Sequence, residues 1–172
     1  DTLQGFTVGT DSAFAAVSGA PAARHLAVIR DFVVTGNVSY SGGTHRSRVR
    51  WSAINDATSW TIGTNQADFQ DIPDAGQITG LVGGEYGVVL LEKAIARMQY
   101  VGSPLIFTFE KVETNHGCNY PNSVASLGAS QVFYLADDGF FMFNGQKSIP
   151  IGAEKVDQFF FDDLDFDNSD RI

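Results

Sequence analysis

Three arginines occupy alternate positions in the segment HRSRVRW, at Arg46, Arg48 and Arg50. Alternate residues of a β-strand project to the same side of a sheet, so this spacing predicts one row of guanidinium groups. Such a row could bind anions, or it could form salt bridges with acidic residues of a neighbouring subunit. It could equally be the solvated face of a sheet. We treat these three residues as a candidate subunit interface.

The neighbouring segment WSAINDATSW places Asp56 between Trp51 and Trp60. It resembles the Asp-box turn of sialidase-like propellers, in which an Asp caps a hairpin and an aromatic ring packs beneath it. The glycine of that motif is absent here. The resemblance therefore implies a structural corner formed by these three residues, and no catalytic role for them.

His116 and Cys118 lie close together in the segment TNHGCNYPN, and both are residue types that can bind metal ions. A metal site needs further ligands, and the sequence supplies no second pair of this kind. We therefore predict a polar loop here, with no metal and no cofactor. The lone Cys118 also excludes an intrachain disulfide.

The elements that must position these residues are short strands, most clearly in QVFYLADDGFFMFNGQKSIPI, residues 131–151. The dipeptides Asp138-Gly139 and Asn144-Gly145 are typical of type I′ hairpin turns and predict three strands joined by two tight turns. A fourth strand at 123–127 would complete an antiparallel meander.

The same four-strand pattern recurs twice earlier in the chain. One copy covers residues 78–109, and its segment 86–98 is interpreted as two strands instead of a helix. A weaker copy has strands at 26–29, 32–35, 48–51 and 60–62, with a Gly-rich loop at 36–44. A repeat of roughly 40 to 50 residues with four strands each is typical of β-propeller blades.

The predicted fold is therefore all-β and β-propeller-like, with antiparallel four-stranded blades near 24–62, 77–112 and 122–152 and negligible helix. Residues 1–23 are predicted to be an irregular lead-in, 24–164 a propeller region of about three blades, and 165–172 an acidic tail. The first residue is Asp and the repeat is interrupted at both ends, so we expect a portion of a longer chain and of a larger propeller. Alternation predicts a buried set: Val89, Leu91, Phe133, Leu135, Phe141 and Phe143.

The chain is strongly acidic, with 11 basic and 20 acidic residues and a net charge of −9. Tight binding to a phosphate backbone requires clustered Lys and Arg, so this balance argues against a DNA-gripping protein. No apolar run of 18 residues is present, so no membrane span is predicted. The content of 44% hydrophobic residues is ample for a core.

Several segments resemble the propeller region of tail nozzle or hub proteins of short-tailed bacteriophages, also described as packaged-DNA stabilisation proteins or tail tube protein B. They include RVRWSAINDATSW, GQITGLVGGEYGVVLLEKAIARMQYVG, PLIFTFEKVETNHGC and LADDGFFMFNGQKSIPIGAEKVDQFFFDDL. The resemblance covers about residues 48–164 and includes the phrases VGGEYG and DDGFFMFNG.

The resemblance implies a structural virion protein of the phage tail without enzymatic activity. It implies copies arranged in a sixfold ring, contacts with adaptor or portal-side tail proteins and with distal tail proteins, and a lumen that conducts double-stranded DNA without binding it tightly. An acidic surface suits this role, because each Lys or Arg that neutralises a phosphate adds affinity.

Two other functions remain open from the sequence. The Asp-box-like corner could belong to a sialidase-like glycan-processing propeller, although such chemistry needs arginines that converge from different blades. A generic protein-binding propeller scaffold is the other alternative.

Overall fold

A computed structural model describes residues 2–128, 130–153 and 156–165, and strands account for most of its regular structure. The strands β1 to β14, in chain order, are Gln4–Gly5, Ala15–Ala16, Ala22–Ile29, Phe32–Tyr40, Gly43–Trp51, Asp68–Asp71, Ile78–Val82, Gly87–Leu91, Ile95–Gly102, Ile106–Glu113, Ala125–Ser126, Val132–Ala136, Gly139–Phe143 and Ser148–Pro150. One 3₁₀ turn, Pro121–Ser123, and one α-helix, α1 (Asp157–Asp162), complete the described elements. The all-β prediction is confirmed.

Three four-stranded antiparallel sheets follow one another along the chain. The first sheet contains β3 to β6, the second β7 to β10 and the third β11 to β14, and in each sheet the strands are paired in chain order. Every connection within a sheet therefore joins two neighbouring antiparallel strands. The predicted four-stranded meanders are confirmed by this topology.

The three sheets pack face to face through two hydrophobic clusters. The first cluster joins the first and second sheets and includes Val34, Trp51 and Phe107. The second cluster joins the second and third sheets and includes Tyr134 and Phe143. Burial of this apolar surface is the main force that holds the sheets together.

Strand β8 of the second sheet contributes side chains to both hydrophobic clusters. All five residues of its sequence GVVLL are buried. Val89 and Leu91 belong to the first cluster, whereas Val88 and Leu90 belong to the second. Because successive side chains of a strand point to opposite faces, a continuous apolar run is what a strand covered on both sides requires.

The pair Gly83-Gly84 connects the first and second sheets at the end of β7. The Gly84 amide donates to the Val28 carbonyl at 3.1 Å, and the Arg30 amide donates to the Gly84 carbonyl at 2.9 Å. A Cβ on Gly83 would collide with the Val28 carbonyl, so this close approach of two backbones requires glycine. Two hydrogen bonds thus fix the packing of the two sheets.

The first sheet differs from its prediction at two places. The predicted Gly-rich loop at 36–44 is wrong, because β4 and β5 continue through it and leave only Ser41-Gly42 as the turn. Both turn residues have positive φ, as a type I′ turn requires. The fourth strand is Asp68–Asp71 and not 60–62, because residues 52–67 form a long corner before the chain pairs with β5.

The predicted turn type in the third sheet is also wrong. Asp138 and Asn144 are not among the described residues with positive φ, so neither turn is type I′. Asp137 and Asp138 occupy the first turn, since Ala136 pairs with Gly139. In the second turn, Asn144 Oδ1 instead accepts hydrogen bonds from the amides of Gln146 and Lys147.

The predicted buried set is confirmed for five of its six members, but Phe133 is only half-buried. Its neighbours Val132 and Tyr134 point into the second cluster instead. They pair across the sheet with Phe143 and Phe141, so the face that carries these four residues is the one packed on the second sheet. The prediction for Phe133 placed it on the wrong face.

The short helix α1 was not predicted and forms from the Phe-rich segment DQFFFD. Phe160 packs edge-on against Phe140 of β13 with ring centroids 5.0 Å apart, so part of the Phe run covers the third sheet. Phe159 remains 79% exposed. Of the predicted acidic tail at 165–172, residues 166–172 lie outside the described part of the chain.

The predicted irregular lead-in at 1–23 contains a small hairpin. Strands β1 and β2 pair antiparallel, with Gln4 opposite Ala16. Thr2 forms an isolated bridge to Ala22, which is the first residue of β3. Among the described residues, no helix has the length and apolar character needed to cross a membrane.

Candidate functional site

Arg48 and Arg50 lie on the side of β5 that faces away from the second sheet. Val49 and Trp51, the residues that alternate with them, belong to the first cluster. On the neighbouring strand β6, Asp71 is opposite Arg48 and Phe69 is opposite Arg50. Alternation along β5 therefore separates an apolar side from a cationic one.

Arg48 is fully engaged within its own sheet. Its Nε and Nη2 atoms donate to the two carboxylate oxygens of Asp71 at 2.7 and 2.8 Å, and its guanidinium lies 3.9 Å from the centroid of the Phe69 ring. The hydrogen bond to Arg48 lowers the pKa of Asp71, and the same bond raises the pKa of Arg48. This bidentate pair leaves Arg48 little capacity for an outside partner.

Arg50 is buried, with 2% of its surface exposed. Its Nη2 atom donates to the Trp60 carbonyl at 2.7 Å. The Tyr40 ring stacks on the guanidinium at 3.8 Å, and the Trp60 ring lies 5.9 Å away. Aromatic faces attract cations, so these rings offset part of the cost of burying the charge.

The Nε and Nη1 atoms of Arg50 have no hydrogen-bond partner among the described residues. A buried donor without an acceptor costs about 1 to 3 kcal/mol, and more when the group is charged. No described carboxylate forms an ion pair with Arg50, although the chain carries 20 acidic residues. Arg50 is therefore the least satisfied charged group in the described part of the chain.

Arg46 is separated from the other two arginines. It is exposed and lines a different cavity, together with Asn37 and Gln77. The pairing of β4 with β5 is irregular between Gly36 and Val38, which pair with Val49 and His45, so Arg46 lies within the irregular stretch. The three arginines predicted as one row thus have three environments: Arg46 exposed, Arg48 paired with Asp71, and Arg50 buried. They do not converge on one point.

The corner after β5 is built from hydrogen bonds made by Asp56 and the two tryptophans. Asp56 Oδ1 accepts from the Thr58 amide at 2.9 Å and from the Thr58 hydroxyl at 2.6 Å, and these bonds lower the pKa of Asp56. Trp60 Nε1 donates to the Ala57 carbonyl at 2.9 Å. Trp51 Nε1 donates to the Gln66 carbonyl at 2.8 Å. Both indole rings are buried, so the corner holds Trp60 against Arg50.

His116 and Cys118 lie in a segment without helix or strand, as the predicted loop requires, but Cys118 is not in polar surroundings. Cys118 is fully buried in the second cluster, where burial raises the pKa of its thiol, and Sγ donates to the Tyr120 carbonyl at 3.3 Å. The polar-loop prediction is therefore wrong for Cys118. His116 stacks on Phe141, with ring centroids 4.5 Å apart. No group of three or more potential metal ligands occurs among the described residues.

The cavity beside Arg50 was not predicted from the sequence. It has a volume of about 610 Å³ and is lined by Arg50, Tyr40, Trp60 and the hydroxyl-bearing residues Ser18, Thr58, Ser59 and Thr61, together with Gly19 and Ile62. Its walls come from the N-terminal segment, from β4 and from the corner after β5. The alternating arginines gave the only signal in the sequence that pointed towards it.

A scan against protein-family models and a search of curated proteins gave no match to this chain. The resemblance to phage nozzle proteins therefore rests on the quoted segments alone.

Proposed function

We propose that this chain is a structural subunit of a virion tail conduit, of the nozzle or hub type found in short-tailed bacteriophages. The observation that carries the proposal is the stack of three four-stranded antiparallel sheets in chain order. Consecutive blades of a propeller have this strand order and pack face to face in the same way. The quoted segments supply the link to phage tails.

The outer side of the first sheet supports a larger assembly. Leu26 and Val28 of β3 are 54% and 61% exposed. On the second sheet, both sides are covered by neighbouring sheets. A further blade against Leu26 and Val28 would bury apolar surface in the same manner, which favours a propeller larger than three blades.

The arrangement of the arginines is compatible with a lumen that does not hold DNA. Arg48 is neutralised by Asp71, and Arg50 is buried beneath Tyr40. Only Arg46 of the predicted row is exposed. Since affinity for a duplex grows with the number of phosphates that cations neutralise, one exposed arginine in a chain of net charge −9 adds little.

Ring formation is the first test of this proposal. Purified protein would be examined by negative-stain electron microscopy and mass photometry over a range of concentrations. We expect closed rings whose mass is a multiple of the 18.6 kDa chain. A monomer at every concentration would contradict the ring and favour the protein-binding scaffold.

Duplex binding is the second test. We expect no saturable binding of double-stranded DNA at physiological salt in a filter-binding titration. Tight binding with a steep salt dependence, abolished by changing Arg46, Arg48 and Arg50 to Ala, would overturn the conduit proposal. The single variant Arg46→Ala separates the exposed arginine from the two engaged ones.

A further inference from the structure

The buried guanidinium of Arg50 has unused capacity for an anion. Its Nε and Nη1 atoms have no acceptor among the described residues, and its Nη2 atom donates to a neutral carbonyl, that of Trp60. A buried cation is stable when an anion pairs with it and accepts its remaining hydrogen bonds. The Arg50 side chain has neither, while it lines an open cavity.

The surroundings of Arg50 fit a small polar group. The cavity, defined above by nine residues, presents the hydroxyls of Ser18, Ser59 and Thr61 beside one cation, whereas the Thr58 hydroxyl already donates to Asp56. Hydroxyls can donate to an oxyanion that the guanidinium neutralises.

Tyr40 covers one face of the Arg50 guanidinium. Its ring covers the guanidinium at 3.8 Å, yet the residue is 40% exposed and is the last of β4. It immediately precedes the two-residue turn Ser41-Gly42. The Nε–H and Nη1–H donors lie in the plane of the guanidinium and are buried, so an anion reaches them only when side chains around Arg50 move, and Tyr40 is a partly exposed one at the end of a strand.

We propose that the Arg50 cavity binds a single carboxylate group. Arg50 is the only charged residue that lines the described cavity, so one negative charge is what it can neutralise. A dianion such as phosphate would retain an unpaired charge in a protein of net charge −9. The Nε–H and Nη1–H groups point to different edges of the guanidinium plane, so a carboxylate oxygen can accept a charge-assisted hydrogen bond from one of them while a neighbouring hydroxyl donates to the carboxylate.

The direct test follows the Arg50 Nε–H resonance by NMR. It is assigned through its own side-chain carbons, so the assignment does not depend on a variant. Sodium acetate is titrated against sodium chloride at equal ionic strength. We expect a saturable shift of the Arg50 Nε–H and Trp60 indole signals with acetate and no saturable shift with chloride. The absence of a saturable acetate shift would overturn the proposal.

Variants locate the site. Arg50→Lys keeps the charge but removes the planar donors, and we expect acetate affinity to fall about tenfold. Arg46→Lys is the matched control on the same strand and should leave affinity unchanged. Tyr40→Ala removes the covering ring and should bind acetate at least as tightly as the native chain. Acetate binding by Tyr40→Ala but not by the native chain would overturn the proposal. Unchanged acetate affinity in a folded Arg50→Lys variant would overturn it as well.

Further ligands distinguish the source of the carboxylate. A capped tripeptide with a central Glu is compared with its Gln counterpart by the same NMR readout. Binding of acetate and of the Glu peptide, but not of the Gln peptide, supports a carboxylate site open to protein side chains. Binding of acetate without the Glu peptide supports a site for small free carboxylates. Tighter binding of inorganic phosphate than of acetate would overturn the choice of a monoanion.

Discussion

The two sides of the first sheet differ sharply although the same strands form both. On one side, Val49 and Trp51 of β5 pack into the first cluster. On the other side, Arg48 and Arg50 of the same strand meet Asp71, Tyr40 and Trp60. The alternation of a strand lets four consecutive residues serve a packed core and a polar surface at once.

This difference separates two kinds of interaction. The apolar side depends on area and shape, so its contribution to stability is large and non-directional. The polar side depends on individual hydrogen-bond partners at defined distances. At Arg50, two buried N–H groups lack such a partner among the described residues, which lowers stability. We therefore expect substitutions on the two sides to differ in size and in their response to pH.

The largest expected effect lies on the apolar side, at Phe107. This ring is buried and packs edge-on against Phe32 and Trp51, with centroids 4.9 and 5.1 Å away. Phe107→Ala should lower the free energy of unfolding by about 3 to 5 kcal/mol. Chemical denaturation measures it, with the exposed Phe159→Ala as control. A loss under about 1 kcal/mol would mean that the first and second sheets are not packed as described.

Phe141 extends the comparison to the interface between the second and third sheets. It is buried beside Tyr134 and His116, so Phe141→Ala also leaves a cavity. We expect a loss of about 3 to 4 kcal/mol in chemical denaturation, since the short strands β11 and β14 can adjust around the gap. An effect equal to that of the half-buried Phe133→Ala would argue against the assigned face.

The same nearly isosteric substitution, Val to Thr, can be made on each side of the first sheet and its effect on stability compared. Val34 is fully buried, whereas Val28 is 61% exposed. Val34→Thr places a hydroxyl in the first cluster and should cost about 1 to 3 kcal/mol. Val28→Thr should change stability by less than about 0.5 kcal/mol. Thermal unfolding of both variants under the same conditions measures the two losses of stability. Equal losses would contradict the assignment of Val34 to the buried side and Val28 to the exposed side.

The smallest effect is expected at the Arg48–Asp71 pair, which is partly exposed. The pKa of Asp71 is lowered in the folded state, so its stabilising contribution is present at neutral pH and is lost as pH falls through that lowered pKa. Arg48→Met should cost less than about 1 kcal/mol at pH 7.

The pH dependence provides the control for this pair. The difference in stability between the native chain and Arg48→Met should shrink below about pH 4, where Asp71 begins to protonate in the unfolded chain. Arg46→Met should show no such dependence on Asp71. A difference that persists unchanged in strong acid would assign the effect of Arg48 to its packing on Phe69 instead.

The second sheet was predictable because its apolar runs are uninterrupted and its breaks fall at glycines. The strands predicted at 78–82 and 86–91 agree closely with Ile78–Val82 and Gly87–Leu91. The first sheet was harder because Gly36 and Asn37 are typical turn residues. Here Asn37 takes φ of 55° inside β4, and its side-chain amide donates to the Ile78 carbonyl at 3.1 Å. Only the neighbouring sheet explains why the chain does not turn there.

The candidate site was predictable only in part, for a similar reason. Alternation correctly indicated that Arg48 and Arg50 share one side of a strand. It could not indicate that Trp60, ten residues later, returns to meet Arg50, or that Tyr40 covers the guanidinium. These contacts depend on the corner at 52–67 and on the hairpin of β4 and β5, which bring distant parts of the chain together.

The two-sided burial of β8 has a consequence for amide hydrogen exchange. Exchange at a protected amide requires an opening that exposes it to water, and the rate reports the free energy of that opening. The amides of Val88 and Val89 lie between both hydrophobic clusters, so separating one neighbouring sheet leaves them covered by the other. Their slowest exchange should therefore report unfolding of the whole stack, whereas the edge strands β6 and β14 should exchange through smaller, local openings.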